Sequence, residues 1–542
     1  MNKIERVFLL GLVLGIIIFV PVSYVFGQGI GTVTVKTQTF ATESSYIISK
    51  QGTTYYARNG LTGEIDYVGT DISALTYQAE HSLPSQKGKI TFLSGFYDFN
   101  SPLVIDDSNI TICGEGTSTV FRAVADINLI ILRGGASYWE RKEHASLMNL
   151  ALICTVSSTK AAIKYEGIFW YTSISDVKIE EFAIGIFLPS QLIGTESYIS
   201  HPVWRNLVIN QCGAGILATS VSDIEIYGAV MHDLTGVALR DYITEVYEVE
   251  PTHTIPALNV VTCNFINTLG NTFIHDFYVY NGKGAGGHLL TLQACVSIYL
   301  IGGALAGGSY PLYISSGEFY GVEKFTIAFA DECDIYLESG LLWSLKDVTI
   351  EQNWISAADK HAIYGTSANP SLTSIEFVNI ENNWIVNNAV EALNTYDAIN
   401  IRGAKIEILG NTIGGLMSEG AKERYCIYAN YVGIGKYIIA NNHFLYAKTG
   451  IMSIAQSPTN HIYSNTGFVT EVMGQGTFPA NTIEYSFTHG LSGKPDHVDI
   501  SFRENLQGRS WKWSANATHI TVTLSSGYPN DRLFSWRAYY EP

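Results

Sequence analysis

Residues 348–353 read VTIEQN, and the cadence returns as VNIENN at 378–383, IEILGN at 406–411, YIIANN at 437–442 and HIYSN at 461–465. Each unit alternates apolar and polar residues and closes on an Asn. Asn353, Asn383, Asn411, Asn442 and Asn465 follow one another at separations of 30, 28, 31 and 23 residues. Period-two alternation is the mark of a strand with one buried face. One such strand cannot bury that face alone, so a repeat of this length implies stacked units sharing a continuous core. Stacking aligns Val348/Ile350, Val378/Ile380 and Ile406/Ile408 in columns at about 4.8 Å per coil. Asn tolerates a left-handed bend, and its amide can bond to the neighbouring coil. The architecture expected is all-β: a right-handed parallel β-helix.

The same mould extends upstream, more loosely, through SLMNLALI (146–153), ISDVKIEEFAIGIFL (174–188), WRNLVINQCGAGILA (204–218) and VEKFTIAFA (322–330). Residues 89–468 then hold roughly 13 coils, about 60 Å of solenoid. An open solenoid end exposes unpaired strand groups and must be covered. Residues 52–88 supply that N-terminal cap, where Asp71 can N-cap a short amphipathic helix in ISALTYQAEHSL. Residues 28–51, with TVTVKTQTF, read as a spacer or small strand pair. Residues 478–542 hold five short alternating runs, among them HVDISF, HITVTL and LFSWRAYY, and are expected to form a small C-terminal β-sandwich.

Residues 7–26 carry no charge and follow Lys3 and Arg6. Twenty residues at about 1.5 Å each just span a hydrocarbon core, so 1–27 read as a signal peptide or membrane anchor. Either places the bulk of the chain outside the cytoplasm, secreted or tethered to the membrane through the N-terminal helix. Among 542 residues, 32 Lys+Arg against 49 Asp+Glu give a net charge of −17, which argues against nucleic acid as a partner. Hydrophobic residues make up 47%, too many for a disordered chain. The seven cysteines lack any metal-ligand spacing and stand in apolar runs, so they read as small core residues.

The stretch from Tyr55 to Arg122, with GTD before the capping helix, KITFLSGFYDF, PLVI and NITICGEG, resembles the opening of the pectate-lyase superfamily of β-helix proteins. The resemblance implies an extracellular scaffold of a kind that often handles acidic polysaccharides. It carries no activity across: Gly287-His288-Leu289 and Arg402-Gly-Ala-Lys405 depart from the polygalacturonase pattern, and Asp106-Asp107 stands apart in the first coil. The Arg-x-Pro-x-x-Arg element of pectate lyases is absent. The THGL and FSWRAYY pieces are similar to small C-terminal domains of viral tail fibres and surface β-helix proteins, which implies trimerisation or ligand binding.

The richest carboxylate run is Asp331–Glu338. If Cys333, Ile335 and Leu337 face the core, Glu332, Asp334, Tyr336 and Glu338 share the outer face. Neighbours in such a row lie about 7 Å apart, the spacing an inverting glycosidase needs. Glu332, Asp334 and Glu338 are therefore the catalytic candidates, with Asp347 and Glu351 projecting from the next coil. No motif assigns a metal or cofactor; Ca²⁺ is the cation such a row would suit. Trp354 and Trp384 follow equivalent ladder asparagines: outward they would form a sugar-stacking strip, inward a core stack. Tyr336 and Asp241, the latter in the acidic insertion 240–253, complete the binding candidates. His275 and His288 could act as base or acid. The function expected is polysaccharide binding or cleavage, as a hydrolase or lyase. The alternative is a non-catalytic surface adhesin or structural rod, homotrimeric or glycan-binding through its C-terminal module.

Overall fold

The computed structural model describes residues 44–540 apart from 190–198, 220, 239–259, 267–270, 281–286, 341–343, 368–373, 393, 416–422, 430–435, 448, 455–459, 504–505 and 507. The apolar stretch 7–26 lies outside the described residues, among which no helix is long and apolar enough to cross a membrane.

The chain is a parallel β-helix. One sheet runs from Leu103–Ile105 to Gly450–Ile454 through twelve successive parallel pairings, linking thirteen strands at one strand per coil. A second sheet joins Gly88–Phe92, Ile110–Cys113 and Ser146–Cys154 to their successors as far as His461–Tyr463. A short third face carries Trp354–Ser356, Trp384–Val386, Thr412–Gly414 and His443–Phe444. Inward residues stack like on like: Ile335, Ile363, Ile399 and Ile427 form one column with 0% exposure. Each such side chain contributes roughly 1.5–3 kcal/mol of burial. All seven cysteines are buried and none forms a disulfide, as expected of small core residues.

The bend between the second and third faces is built one way throughout and filled in two. Its outer residue is left-handed in coil after coil, from Asp176 (φ 55°) and Asn206 (φ 52°) through Gln352 (φ 56°) and Asn382 (φ 54°) to Asn441 (φ 59°). The next residue turns inward. Upstream that column is Leu150, Val177, Leu207, Ala229, Phe277, Gly303 and Phe325. From Asn353 on it is the Asn ladder. Asn353 Nδ2 donates to Asn383 Oδ1 (3.0 Å), Asn383 to Asn411, Asn411 to Asn442, and Asn442 to Asn465, each at 3.0 Å. Each amide also donates to a backbone carbonyl of the preceding coil, for example Asn383 to Ile350 O at 2.8 Å. Phe325 N–H closes the upper end on Asn353 Oδ1 (2.8 Å). Buried amides demand such saturation, because an unpaired one costs about 1–3 kcal/mol.

The capping helix spans Ile72–His81, and Asp71 accepts hydrogen bonds from Ser73 N (2.9 Å) and Ala74 N (3.1 Å) at its start. Ile72, Leu75 and Ala79 seal the core at the first coil. The fold begins before the expected spacer ends: Tyr46–Gln51 pairs antiparallel with Thr54–Asn59 and parallel with Gly88–Phe92. The C-terminal module is a sandwich of two three-stranded antiparallel sheets with its own core around Phe534, Val522 and Ile520. It has one strand more than expected, Glu471–Phe478, ahead of residue 478.

Candidate functional site

Four strands of the first sheet carry the same pair, an inward Leu or Ile and then a Tyr: Leu312-Tyr313, Ile335-Tyr336, Ile363-Tyr364 and Ile427-Tyr428. Alternation turns each phenol away from the core, and parallel register stacks them; Tyr336, Tyr364 and Tyr428 are partly exposed, while Tyr313 is covered at 5% exposure. Tyr313 and Tyr336 lie 5.3 Å apart at 12°, and Tyr336 and Tyr364 5.4 Å apart. Asn400 takes the next position, followed by Tyr428. His288 joins one end of this column, 4.5 Å from Tyr313, and His361 sits 5.1 Å from Tyr364.

Charged groups edge the rings. Tyr313 Oη donates to Glu338, and Lys360 pairs with Glu332. Asp397 is buried and takes a two-pronged grip from Arg424, Nε to Oδ1 at 2.9 Å and Nη2 to Oδ2 at 2.8 Å. That hydrogen bonding raises the Arg424 pKa. Asn400 Nδ2 donates to the same carboxylate at 2.9 Å. Burial raises the Tyr313 and Tyr336 phenols, and the Glu338 charge adds to it, so both keep their protons at neutral pH. Burial lowers His288 to about 4 and lowers His361, which leaves both imidazoles neutral at pH 7. The face thus holds flat rings, carboxylates, protonated phenols and neutral imidazoles within one run of coils.

The outer carboxylate row is corrected at its centre. Asp334 is not on the outer face; it has 0% exposure. Cys333, Asp334 and Ile335 are buried in succession at the start of the strand Cys333–Ser339, and strict alternation starts only at Ile335. Asp334 falls between the Cys333–His361 and Ile335–Ile363 register pairs, beside the buried Ala362. Desolvation raises its pKa well above the carboxylate range. Glu332, Tyr336 and Glu338 remain partly exposed. The spacing of an inverting pair through Asp334 is therefore lost.

The tryptophans face outward. Trp354 and Trp384 are 46% and 39% exposed and stack at 5.6 Å with 10° between their planes. Thr412 interrupts the row before His443, so the strip is two rings long. Asp347 and Glu351 sit on the second sheet, where they line a groove of about 360 Å³ with Tyr299, Phe319 and Glu323. His275 stacks on Tyr227 at 5.0 Å. Asp241 and the rest of insertion 240–253 lie outside the described residues. Sequence reasoning passed over Tyr313, Tyr364, Lys360, Asp397 and Arg424; the recurring Ile/Leu-Tyr pair was the available signal for the first two.

No protein-family model and no curated protein matches the chain. Among solved structures it is similar to the A-module of Azotobacter vinelandii mannuronan C-5 epimerase AlgE6, at 14% identity over 73% of this chain and 93% of that one, with TM-score 0.43. It is similar to bacteriophage CBA120 tailspike protein 3 at 11% identity over 76% of this chain and 64% of that one, TM-score 0.42. A third is the periplasmic alginate epimerase AlgG, at 9% identity over 72% and 82%, TM-score 0.35. The fold itself rests on the strand register described above.

Proposed function

We propose that this is an extracytoplasmic, surface-associated β-helix protein that binds polysaccharide along the tyrosine column and acts on it there. The observation that carries the reading is the in-register stack of Tyr313, Tyr336 and Tyr364, with Glu338 held at its edge. A sugar ring presents an apolar face to an aromatic ring and hydroxyls to flanking carboxylates, and the column offers both in a line. Trp354 and Trp384 give a second stacking platform on the third face. Lys360 is neutralised by Glu332 and Arg424 by Asp397, and the chain carries −17 overall. Neutral glycans therefore suit the bare surface, and uronate polymers need a bridging divalent cation. In the catalytic form of this reading Glu332 and Glu338 are the acting carboxylates, with the Tyr313 phenol as proton partner to Glu338.

The test is incubation with neutral and acidic polysaccharides, with Ca²⁺ or chelator, following reducing ends and the ultraviolet absorbance of unsaturated uronates together. Reducing ends alone identify a hydrolase and both signals a lyase. No turnover and no binding across the panel would overturn the reading. A second reading, a glycan-binding adhesin without turnover, is favoured by a groove of about 870 Å³ in the C-terminal sandwich, lined by Trp511, Trp536, Asp499 and Arg537. Binding that survives loss of the tyrosine column but not Trp511→Ala would select it.

A further inference from the structure

The join between capping helix and first coil holds a cluster that the polysaccharide face does not use. Glu80 and His81 end the helix, and Asp106-Asp107 follow the strand Leu103–Ile105. Glu80 is fully buried beside the backbone amides of Asp106 and Asp107. Asp107 is 4% exposed, and its Oδ2 accepts no hydrogen bond. His81 Nε2 faces the two aspartates, 3.3 Å from Asp106 Oδ1 and 3.8 Å from Asp107 Oδ2, and the three ligand atoms lie within 4.8 Å of one another. Lys142 Nζ reaches only the other oxygen of Asp107, at 3.4 Å.

The imidazole is oriented as a ligand. Its Nδ1 stands 3.0 Å from the Tyr77 carbonyl, so Nδ1 carries a proton and donates it. In the neutral ring Nε2 then presents a lone pair to carboxylate oxygens, an arrangement that repels unless a cation lies between. Backbone-anchored histidines of this kind are usual in metal sites, where the outer hydrogen bond sets the tautomer. We propose that His81, Asp106 and Asp107 form a structural divalent-cation site that pins the capping helix to the first coil. One nitrogen with carboxylates is a set for Zn²⁺ or Mn²⁺ rather than Ca²⁺, which prefers oxygen alone. Metal–ligand distances near 2.0–2.2 Å require the 3.8 Å pair to close by a fraction of an ångström. His81 and Asp106, 29% and 28% exposed, leave the site an open edge for entry.

The full chain, stripped with chelator, would be titrated with Zn²⁺ by calorimetry and with Co²⁺ by visible spectroscopy. The expected result is one equivalent per chain, a tetrahedral Co²⁺ spectrum and a raised melting temperature. His81→Gln, at a partly exposed helix end, should weaken binding at least 10-fold and erase the spectrum while the metal-free melting temperature holds. Absence of binding by the stripped chain, or equal affinity in His81→Gln, would overturn the proposal in favour of a protonated His81 paired with Asp106. Neither result touches the glycan reading, which uses other coils.

Discussion

Replacing Asn383 by Ala is the sharpest test of what holds the downstream coils together. The side chain makes four hydrogen bonds in a site with 2% exposure. It donates to Ile350 O (2.8 Å) and Asn411 Oδ1 (3.0 Å), and it accepts from Asn353 N (2.9 Å) and Asn353 Nδ2 (3.0 Å). Truncation leaves the Asn353 backbone N–H without an acceptor, at a cost of about 1–3 kcal/mol. Of the other three partners, Asn353 Nδ2 keeps Val322 O and Asn411 Oδ1 keeps the Asn383 backbone amide. At about 0.5–1.5 kcal/mol for each of the other three lost bonds, the total loss is roughly 2.5–7.5 kcal/mol. Asn465, at the end of the ladder, makes three such bonds and is 8% exposed, so its truncation should cost roughly 1–2 kcal/mol less. Urea denaturation of the full chain gives the ranking. Because a solenoid need not unfold in one step, hydrogen exchange at Asn353 and Asn383 should accompany it. A loss below about 1 kcal/mol for Asn383→Ala, or a larger one for Asn465→Ala, would refute this account of the ladder.

Asp334→Asn should stabilise the protein at neutral pH. The native pKa is raised above the unfolded one, so the native state holds a proton that the unfolded state releases. Wild-type stability then falls as pH rises from about 4 toward the native pKa, and the Asn variant should lose that slope in urea midpoints taken across pH 4–8. Trp354→Ala and Trp384→Ala should each weaken glycan binding roughly 2–10-fold, as expected for losing about 0.5–1.5 kcal/mol of stacking, with melting nearly unchanged. Unaltered affinity in the double variant would remove the third face from the binding surface. Glu338→Gln should cut any turnover by about 10²–10⁴-fold while binding stays within a few-fold. Full activity in that variant would remove Glu338 from the chemistry.

The solenoid was legible because its register is enforced by residues that recur at the same station of each coil. Asn353 through Asn465 announce the period, and Val348/Ile350 and their successors announce the inward face. Asp71 marked the helix start for a local reason, a side chain that reaches its own helix amides. Asp334 was misplaced because period two presumes that burial alternates from the first strand residue, and here the first three, 333–335, are all buried. The orientation of Trp354 depended on where the bend after Asn353 releases the chain, which alternation within one strand does not encode. The strand Glu471–Phe478 escaped notice because Gly474 and Gly476 depress strand propensity. The fold shows their purpose: a Cβ at Gly474 would meet the Trp536 ring at 2.9 Å, and one at Gly476 the Phe534 ring at 2.5 Å. The glycines make room for rings on the paired strand, a relation invisible until the two segments are paired. Site residues such as Asp397 and Arg424, 27 positions apart, meet only through the stacking of coils.

The change of filling at the bend, from Phe325 above to Asn353 below, has a mechanical consequence. The bonds from amide to amide all run one way: from Asn353 to Asn442 each ladder amide donates to the next Asn, and Asn465 ends the row. A force applied at the C-terminal end would open Asn465, Asn442, Asn411 and Asn383 in turn, each step breaking nearly the same set of bonds. That predicts a train of similar small yields under tension, like a zip. Above Phe325 the column is apolar side chains, whose grip is short-ranged and has no direction. Resistance there depends on how well each ring or branch fits its neighbour, so the upstream coils should yield unevenly where the downstream ones yield in rhythm.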